Sequence, residues 1–180
     1  MAVRTPAYVK YLNALVLIGF GWLAVLIELT PLNERAATFP APDLLFCICA
    51  FLVIRRPSAT PGFLVVLLAL ARDLISGGPV GLGAITLLAA IEVLRAGGDL
   101  LRRRALIFEF GAVAALTFVM IAVQVFALLI TLSNTPPLDQ LVLRALGTIA
   151  AYVGIYILMR WVLRVRGEQV DDRRLTKKAA

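Results

Sequence analysis

The stretch "ARDLISGGPVGLG", residues 71–83, decides how the middle of this chain folds. It places two adjacent charges, Arg72 and Asp73, shortly before a Gly-Gly-Pro turn, with apolar runs on both sides. A charged side chain in apolar surroundings needs a partner or water, because desolvating it without either is costly. The stretch is therefore either a catalytic or transport site or a fixed structural corner.

The composition is that of a membrane protein with several spans. Of the 180 residues, 61% are hydrophobic and 16% are charged, with a mean hydropathy of +0.93, whereas soluble domains are about half apolar. The chain has no His, and Cys47 and Cys49 lie inside an apolar run. We therefore expect two buried, unreactive cysteines and neither a metal site nor a cofactor.

Apolar runs separated by polar breaks predict a single all-α domain, residues 1–180, with six transmembrane helices. The first run is as long as a span and lacks a small-residue cleavage site, so we expect a retained helix rather than a signal peptide. Spans two to four are shorter than the roughly 20 residues of a perpendicular helix. The predicted spans are residues 9–29, 43–55, 61–76, 82–97, 105–132 and 139–163, followed by a basic tail at 164–180.

The basic residues predict the orientation of these spans. Six spans put both termini on one side, and 15 of the 18 Lys and Arg residues then fall on that side. Because cytoplasmic loops carry the excess of Lys and Arg, we expect both termini in the cytoplasm. The net charge of +7 then favours anionic lipid at the cytoplasmic face over nucleic acid as the partner.

The quoted stretch carries the clearest predictions about pairing and turns. Asp73 lies near the outer end of span three and Arg144 near the outer start of span six, so we predict that they form a contact. The alternative is that each charge reaches headgroups or water. Gly77 and Gly78 can take a positive φ and Pro79 fixes its own, which predicts a tight reversal. We expect Gly78→Val or Pro79→Leu to weaken folding or partner binding.

Other charges near the spans are expected at interfaces or in local pairs. Glu28 closes the first span, and we expect it at the membrane interface. Glu92 and Arg95 are three residues apart and can pair on one helix face. Glu109 lies one turn inside the fifth span, where we expect solvation or pairing with the arginines at 102–104.

Polar and small residues inside the spans predict helix packing. Gln124 lies near the middle of span five, and we expect its amide to hydrogen-bond to another helix. Small residues four apart let helices approach closely, and we expect internal packing here rather than a partner interface. The pairs are Gly111/Ala115, Gly147/Ala151 and Ala150/Gly154.

The chain carries no recognisable catalytic motif. It has no His, no GxSxG or HExxH pattern, no P-loop and no aspartate cluster of a membrane phosphatidyltransferase. We therefore expect no enzymatic activity. Transport stays open, because six helices with inward groups such as Glu92, Glu109 and Gln124 could enclose a small ligand.

Two segments resemble one family. "LLALARDLISGGPVGLGAITLL", residues 67–88, resembles the most recognisable segment of the rod shape-determining MreD family, in which an apolar run and a late Asp precede Ser-Gly-x-Pro-x-Gly. "PAPDLLFCICAFLVIRRP", residues 40–57, resembles the family's Pro-Asp-leucine-rich segment. Chain length, six spans and a basic tail agree as well. Many members have His where Gly83 stands, so no His role carries over. The matching residues are Asp73, Ser76, Gly77, Pro79, Gly81 and Leu82.

The resemblance implies a non-enzymatic scaffold in the bacterial inner membrane that supports rod shape and lateral peptidoglycan synthesis. Its partners would be the single-span coiled-coil protein MreC and, indirectly, MreB, RodA and a class B penicillin-binding transpeptidase. The implied fold is that of the substrate-binding subunits of energy-coupling-factor transporters, so a vitamin-type ligand-binding subunit is the alternative function. The structural or partner-interface candidates are Arg72, Asp73, Ser76, Gly77, Gly78, Pro79, Gly81 and Arg144.

Overall fold

The computed structural model describes residues 7–29, 41–57, 60–76, 80–103, 105–131 and 137–162, and these residues form six helices. Each helix lies on one of the apolar runs. Helix α4 is longer than expected, because it continues through residues 97–103, which the sequence predicts as a loop. The helices are α1 (Ala7–Leu29), α2 (Leu44–Arg55), α3 (Gly62–Ser76), α4 (Leu82–Arg103), α5 (Leu106–Ile130) and α6 (Leu138–Val162).

Two of the described helices are long and apolar enough to cross a membrane by length and composition. They are α5, over Leu106–Ile130, and the Leu138–Met159 part of α6. The apolar parts of α1 and α2, Ala14–Glu28 and Leu44–Arg55, are shorter. The all-helical architecture is consistent with a helical membrane protein.

The short helix α2 forms the centre of the bundle. It packs against α1, α4 and α6, and every side chain from Leu45 to Ile54 is at most 5% exposed. A helix that is apolar all round must be covered all round. Cys47 and Cys49 belong to this buried run and are free thiols, which confirms the prediction for them. At 12 residues, α2 is about 18 Å long, so α5 and α6 extend well beyond it.

The other helices expose apolar side chains on the outside of the bundle. Phe63, Ile107 and Trp161 are 71%, 75% and 82% exposed. In helix α5 the usual pattern of a soluble amphipathic helix is reversed, because polar residues, Glu109 and Thr117, are among its buried positions. Soluble domains rarely expose broad apolar surfaces, whereas polar groups in membrane helices face the bundle interior.

Candidate functional site

The first polar site lies where α2 begins. We name it the Arg72 cluster. Arg72, on α3, is 7% exposed, and its Nη1 lies 2.9 Å from Asp43 Oδ1 and 3.8 Å from Glu28 Oε2. Its Nε lies 3.9 Å from Asp73 Oδ1. One guanidinium therefore faces carboxylates from α1, from the start of α2 and from α3. The cluster consists of Glu28, Asp43, Arg72, Asp73 and Arg144.

Two of these carboxylates also cap α2. Asp43 is the N-cap, and its Oδ1 accepts a hydrogen bond from the backbone N–H of Phe46 at 2.9 Å. Glu28 Oε1 accepts one from the backbone N–H of Leu45 at 3.0 Å. The N–H of Asp43 donates to Thr148 Oγ1 on α6 at 3.0 Å. The N–H groups where α2 begins have no intrahelical acceptors, and they are satisfied by side chains of α1 and α6, by the N-cap carboxylate and by the Pro42 carbonyl.

Asp73 does the same for α4. Its Oδ2 accepts hydrogen bonds from the backbone N–H groups of Gly81 and Ala84, both at 3.1 Å. Gly81 has a φ of +93°, in the left-handed region that favours glycine. A Cβ on Gly83 would overlap Asp73 Oδ1, so a larger residue there would force the carboxylate to move. Ser76 Oγ donates to the carbonyl of Asp73 at 3.1 Å and closes α3.

The charges of the Arg72 cluster come close to balance. Three carboxylates face two guanidiniums, which leaves one formal negative charge. The N-termini of α2 and α4 both point into the cluster, and each carries about half a positive charge. The cluster therefore needs no further ion to be neutral.

The predicted contact between Asp73 and Arg144 is wrong. Arg144 Nη2 lies 3.9 Å from Asp43 Oδ2 instead. Asp73 instead contacts Arg72 and the backbone N–H groups at the N-terminus of α4. Few residues separate α3 from α4, so this N-terminus lies close to Asp73. Glu28, which we expected at the membrane interface, is buried against the protein, with its side chain only 10% exposed. The candidates Gly77, Gly78 and Pro79 lie outside the described residues.

The second polar site lies where α2 ends. We name it the Glu109 cluster, and it consists of Arg55, Glu109 and Tyr152. Glu109 is 1% exposed, and its Oε2 accepts a hydrogen bond from Arg55 Nη2 at 2.7 Å. Its Oε1 accepts one from the Tyr152 hydroxyl at 2.7 Å. The Arg55 guanidinium carbon also lies 5.4 Å from the Tyr156 ring centroid and 6.0 Å from that of Phe51.

This second cluster is absent from the predictions. The sequence placed Glu109 in solvent or beside the arginines at 102–104. Solvation is wrong, and the described partners of Glu109 are Arg55 and Tyr152, while Arg104 lies outside the described residues. Glu109 is buried and joins α2 to α6, while Arg102 pairs with Asp99 at 2.6 Å on the surface of α4. The usable signal was Glu109 itself, because an acid inside a long apolar helix faces the bundle and a partner.

Two smaller predictions are confirmed. Glu92 Oε1 and Arg95 Nη2 lie 3.5 Å apart on α4. Gln124 Nε2 donates to Thr86 Oγ1 at 3.2 Å, which joins α5 to the first turns of α4. Arg95 Nη2 also donates to the carbonyl of Thr60, beside the α2–α3 connection.

Two of the three small-residue pairs do not serve internal packing as predicted, whereas Gly147/Ala151 does. A Cβ added to Gly111 on α5 or to Gly154 on α6 would have nothing within 4 Å. Both glycines are exposed, as are Ala115 and Ala150, which are their partners in the predicted pairs. Gly147 is the exception, since a Cβ there would meet Pro42 at an ordinary 3.8 Å. The pairs at 111/115 and 150/154 thus face outward.

A small cavity adjoins the Arg72 cluster between α2, α5 and α6. Its volume is about 10 Å³, which is room for about one water molecule. Pockets for drug-sized ligands are typically about 300–1,000 Å³. The lining residues are Asp43, Phe46, Thr117, Met120, Ile121, Gln124, Arg144 and Thr148.

No protein-family model matches the chain, and no curated protein and no solved structure matches it. The role of the two clusters therefore rests on their contacts within this chain. The resemblance carried by residues 67–88 stays a prediction. What the contacts can do chemically is fasten five helices around α2, because the charged groups are directed at one another and at backbone N–H groups.

Proposed function

We propose that the protein is a non-enzymatic membrane scaffold of the MreD type in the bacterial inner membrane. It has six spans and cytoplasmic termini. It binds MreC and, through MreC, supports MreB, RodA and its class B penicillin-binding transpeptidase during lateral peptidoglycan synthesis. The observation that carries the proposal is that the buried charges, above all Arg72 and Glu109, contact other parts of the same chain.

The distribution of polarity supports the membrane part of the proposal. Helix α5 buries Glu109 and Thr117 while Phe118 and Phe126 are 50% and 65% exposed. In lipid such a helix turns its polar groups inward to meet partners and leaves its apolar groups outside. The positive excess on the side of the termini supports the orientation, and it favours anionic lipid at the cytoplasmic face.

The outward glycines support a binding role. In lipid no hydrophobic effect drives helices together, so partner spans bind where small residues allow close backbone approach. Gly111 and Ala115 form such a place on the outer face of α5, and Ala150 and Gly154 form one on α6. A single-span partner such as MreC needs a surface of this kind.

The alternative, a ligand-binding subunit of a vitamin-type transporter, has less support. The cavity beside Arg144 has a volume of about 10 Å³, far below the roughly 300 Å³ from which small-molecule pockets begin. Glu109, one of the three groups that could have met a ligand, is occupied by Arg55 and Tyr152. Gln124 is engaged with Thr86.

The test is purification of the tagged protein from its native membrane in mild detergent, followed by mass spectrometry of the proteins that accompany it. We expect MreC, RodA and the transpeptidase with the wild type, and less MreC with Gly111→Phe, which fills the outward face of α5. Ile130→Phe, at an exposed position on the same helix, is the matched control. An ATPase module with its coupling subunit, and no cell-wall proteins, would favour the transporter alternative instead.

A further inference from the structure

Arg144 holds a charge that the Arg72 cluster uses only weakly. Its side chain is 35% exposed, and its contact with Asp43 Oδ2 spans 3.9 Å, longer than a hydrogen bond. Asp43 is itself engaged more tightly by Arg72 at 2.9 Å and by the N–H of Phe46. A guanidinium has five N–H donors, so Arg144 has donor capacity left for another group.

The position of Arg144 makes this capacity significant. It is the seventh residue of α6, and Gln124 is the seventh from the end of α5, so each lies about 9 Å along its helix from the outer end. Both residues line the cavity between α2, α5 and α6. A guanidinium at such a depth in a bilayer binds water, a phosphate or another polar group, because hydrocarbon offers it no acceptor.

Among the side chains that line the cavity, the Arg144 guanidinium is the one that suits a phosphate ester. The Thr117 and Thr148 hydroxyls donate to carbonyls of their own helices, and Gln124 donates through Nε2 to Thr86. The guanidinium is therefore the strong donor at this site, and guanidinium pairs with phosphate in a bidentate geometry. With room for about one water-sized group, the cavity admits a single phosphate oxygen while the rest of a ligand stays outside.

We propose that Arg144 binds the phosphodiester of an outer-leaflet phospholipid at the cleft between α5 and α6. The acyl chains lie along the apolar side chains that both helices expose, such as Phe118 and Leu146. The proposal rests on the membrane orientation given above and not on the cell-wall partners. It is distinct from the attraction of anionic lipid to the basic cytoplasmic side.

The test is native mass spectrometry of the full chain released from detergent micelles, titrated with phosphatidylethanolamine. Diacylglycerol, with the same chains and no phosphate, is the matched probe. We expect the wild type to bind phosphatidylethanolamine and not diacylglycerol, and Arg144→Gln to bind about tenfold more weakly, as expected for one lost charge-assisted hydrogen bond. Arg103→Gln, at an exposed position at the other end of the bundle, is expected to bind like the wild type.

Three outcomes would overturn the proposal. Equal binding of diacylglycerol would show that the lipid binds through its acyl chains in an apolar groove, without recognition of the phosphate. Unchanged lipid binding by Arg144→Gln would remove the guanidinium from the site. Displacement of the lipid by millimolar inorganic phosphate would assign the site to a free anion.

Arg144→Lys keeps the charge at the site and is the second variant if Arg144→Gln folds poorly. We expect its lipid affinity to lie between those of the wild type and Arg144→Gln. Failure of the lipid test would leave the partner purification unaffected.

Discussion

The two ends of α2 hold buried charges in different ways. The Arg72 cluster combines three carboxylates, two guanidiniums and two helix N-termini, and its members come from five helices or their caps. The Glu109 cluster is a single ion pair with one tyrosine hydroxyl, and aromatic rings surround its guanidinium. The first is a network around one cation, whereas the second is a pair.

The difference predicts how each end responds to damage. Among the described residues, Arg72 alone contacts all three carboxylates of the network, so its loss leaves several charges without a partner. In the pair, the cost of losing Glu109 is limited, because the Arg55 side chain is 18% exposed and its tip can turn toward solvent. The comparison therefore ranks the variants below from the most to the least damaging.

The largest effect is expected for Arg72→Leu. It leaves Asp43, Glu28 and Asp73 close together without the cation between them, and removing one partner of a buried ion pair costs about 3–5 kcal/mol. Unfolding in mixed micelles with increasing dodecyl sulfate measures the loss. Arg103→Leu, at an exposed position, is the control, with an expected change within about 0.5 kcal/mol. Equal stability of the two variants would mean that the network does not hold the bundle.

A smaller loss is expected for Tyr152→Phe, which removes one hydrogen bond to the Glu109 carboxylate. Hydrogen bonds to charged groups contribute about 1.5–3 kcal/mol. In a Glu109→Gln background the same substitution should cost less, because the acceptor is no longer charged. The same unfolding titration of the two single variants and the double variant gives this coupling. Additive losses would show that Tyr152 and Glu109 act independently.

Gly83→Ala tests the cap between Asp73 and α4. The added methyl group would overlap the Asp73 carboxylate, and a lost helix cap costs about 0.5–2 kcal/mol. Gly111→Ala is the matched control, since nothing lies near its Cβ position and alanine favours a helix by up to about 1 kcal/mol. Opposite signs are expected in the unfolding titration. A stabilising Gly83→Ala would refute the close approach.

The smallest effect is expected beside the Arg72 cluster, for Gln124→Leu. The variant loses the hydrogen bond to Thr86, and such interhelical bonds contribute about 0.6 kcal/mol on average in membrane helices. Thr86→Val should cost a similar amount, with little further loss in the double variant. A loss as large as that of Arg72→Leu would mean that the charged network contributes no more to stability than one neutral hydrogen bond beside it.

The sequence predicted the positions of the helices and the importance of Arg72 and Asp73, because apolar periodicity and turn residues are local signals. It did not predict which charges meet. Pairing depends on how each helix is rotated, and an apolar run such as α2 has no polar face that would show its rotation. No role was predicted for Asp43, although it caps the central helix.

The wrong predictions have the same cause, which is that the rotation of each helix was not known. Asp73 and Arg144 do lie at the same end of the bundle. However, Asp73 contacts Arg72, and Arg144 lies nearest to Asp43. Glu109 was assigned to neighbours along the chain, whereas its partners lie 54 and 43 residues away. The outward direction of Gly111 likewise depends on the rotation of α5, which the small-residue spacing alone does not give.

The central claim is that Arg72, Arg55 and the buried carboxylates that they contact fasten helices to one another and do not serve a ligand. A charge exchange at the simpler cluster tests it most directly, by the yield of monodisperse protein in detergent for Arg55→Glu, Glu109→Arg and the double variant. The account predicts that each single reversal sharply lowers the yield, because two like charges are then buried together, and that the double variant recovers a substantial part of it. Single reversals that fold as well as the wild type would contradict the account.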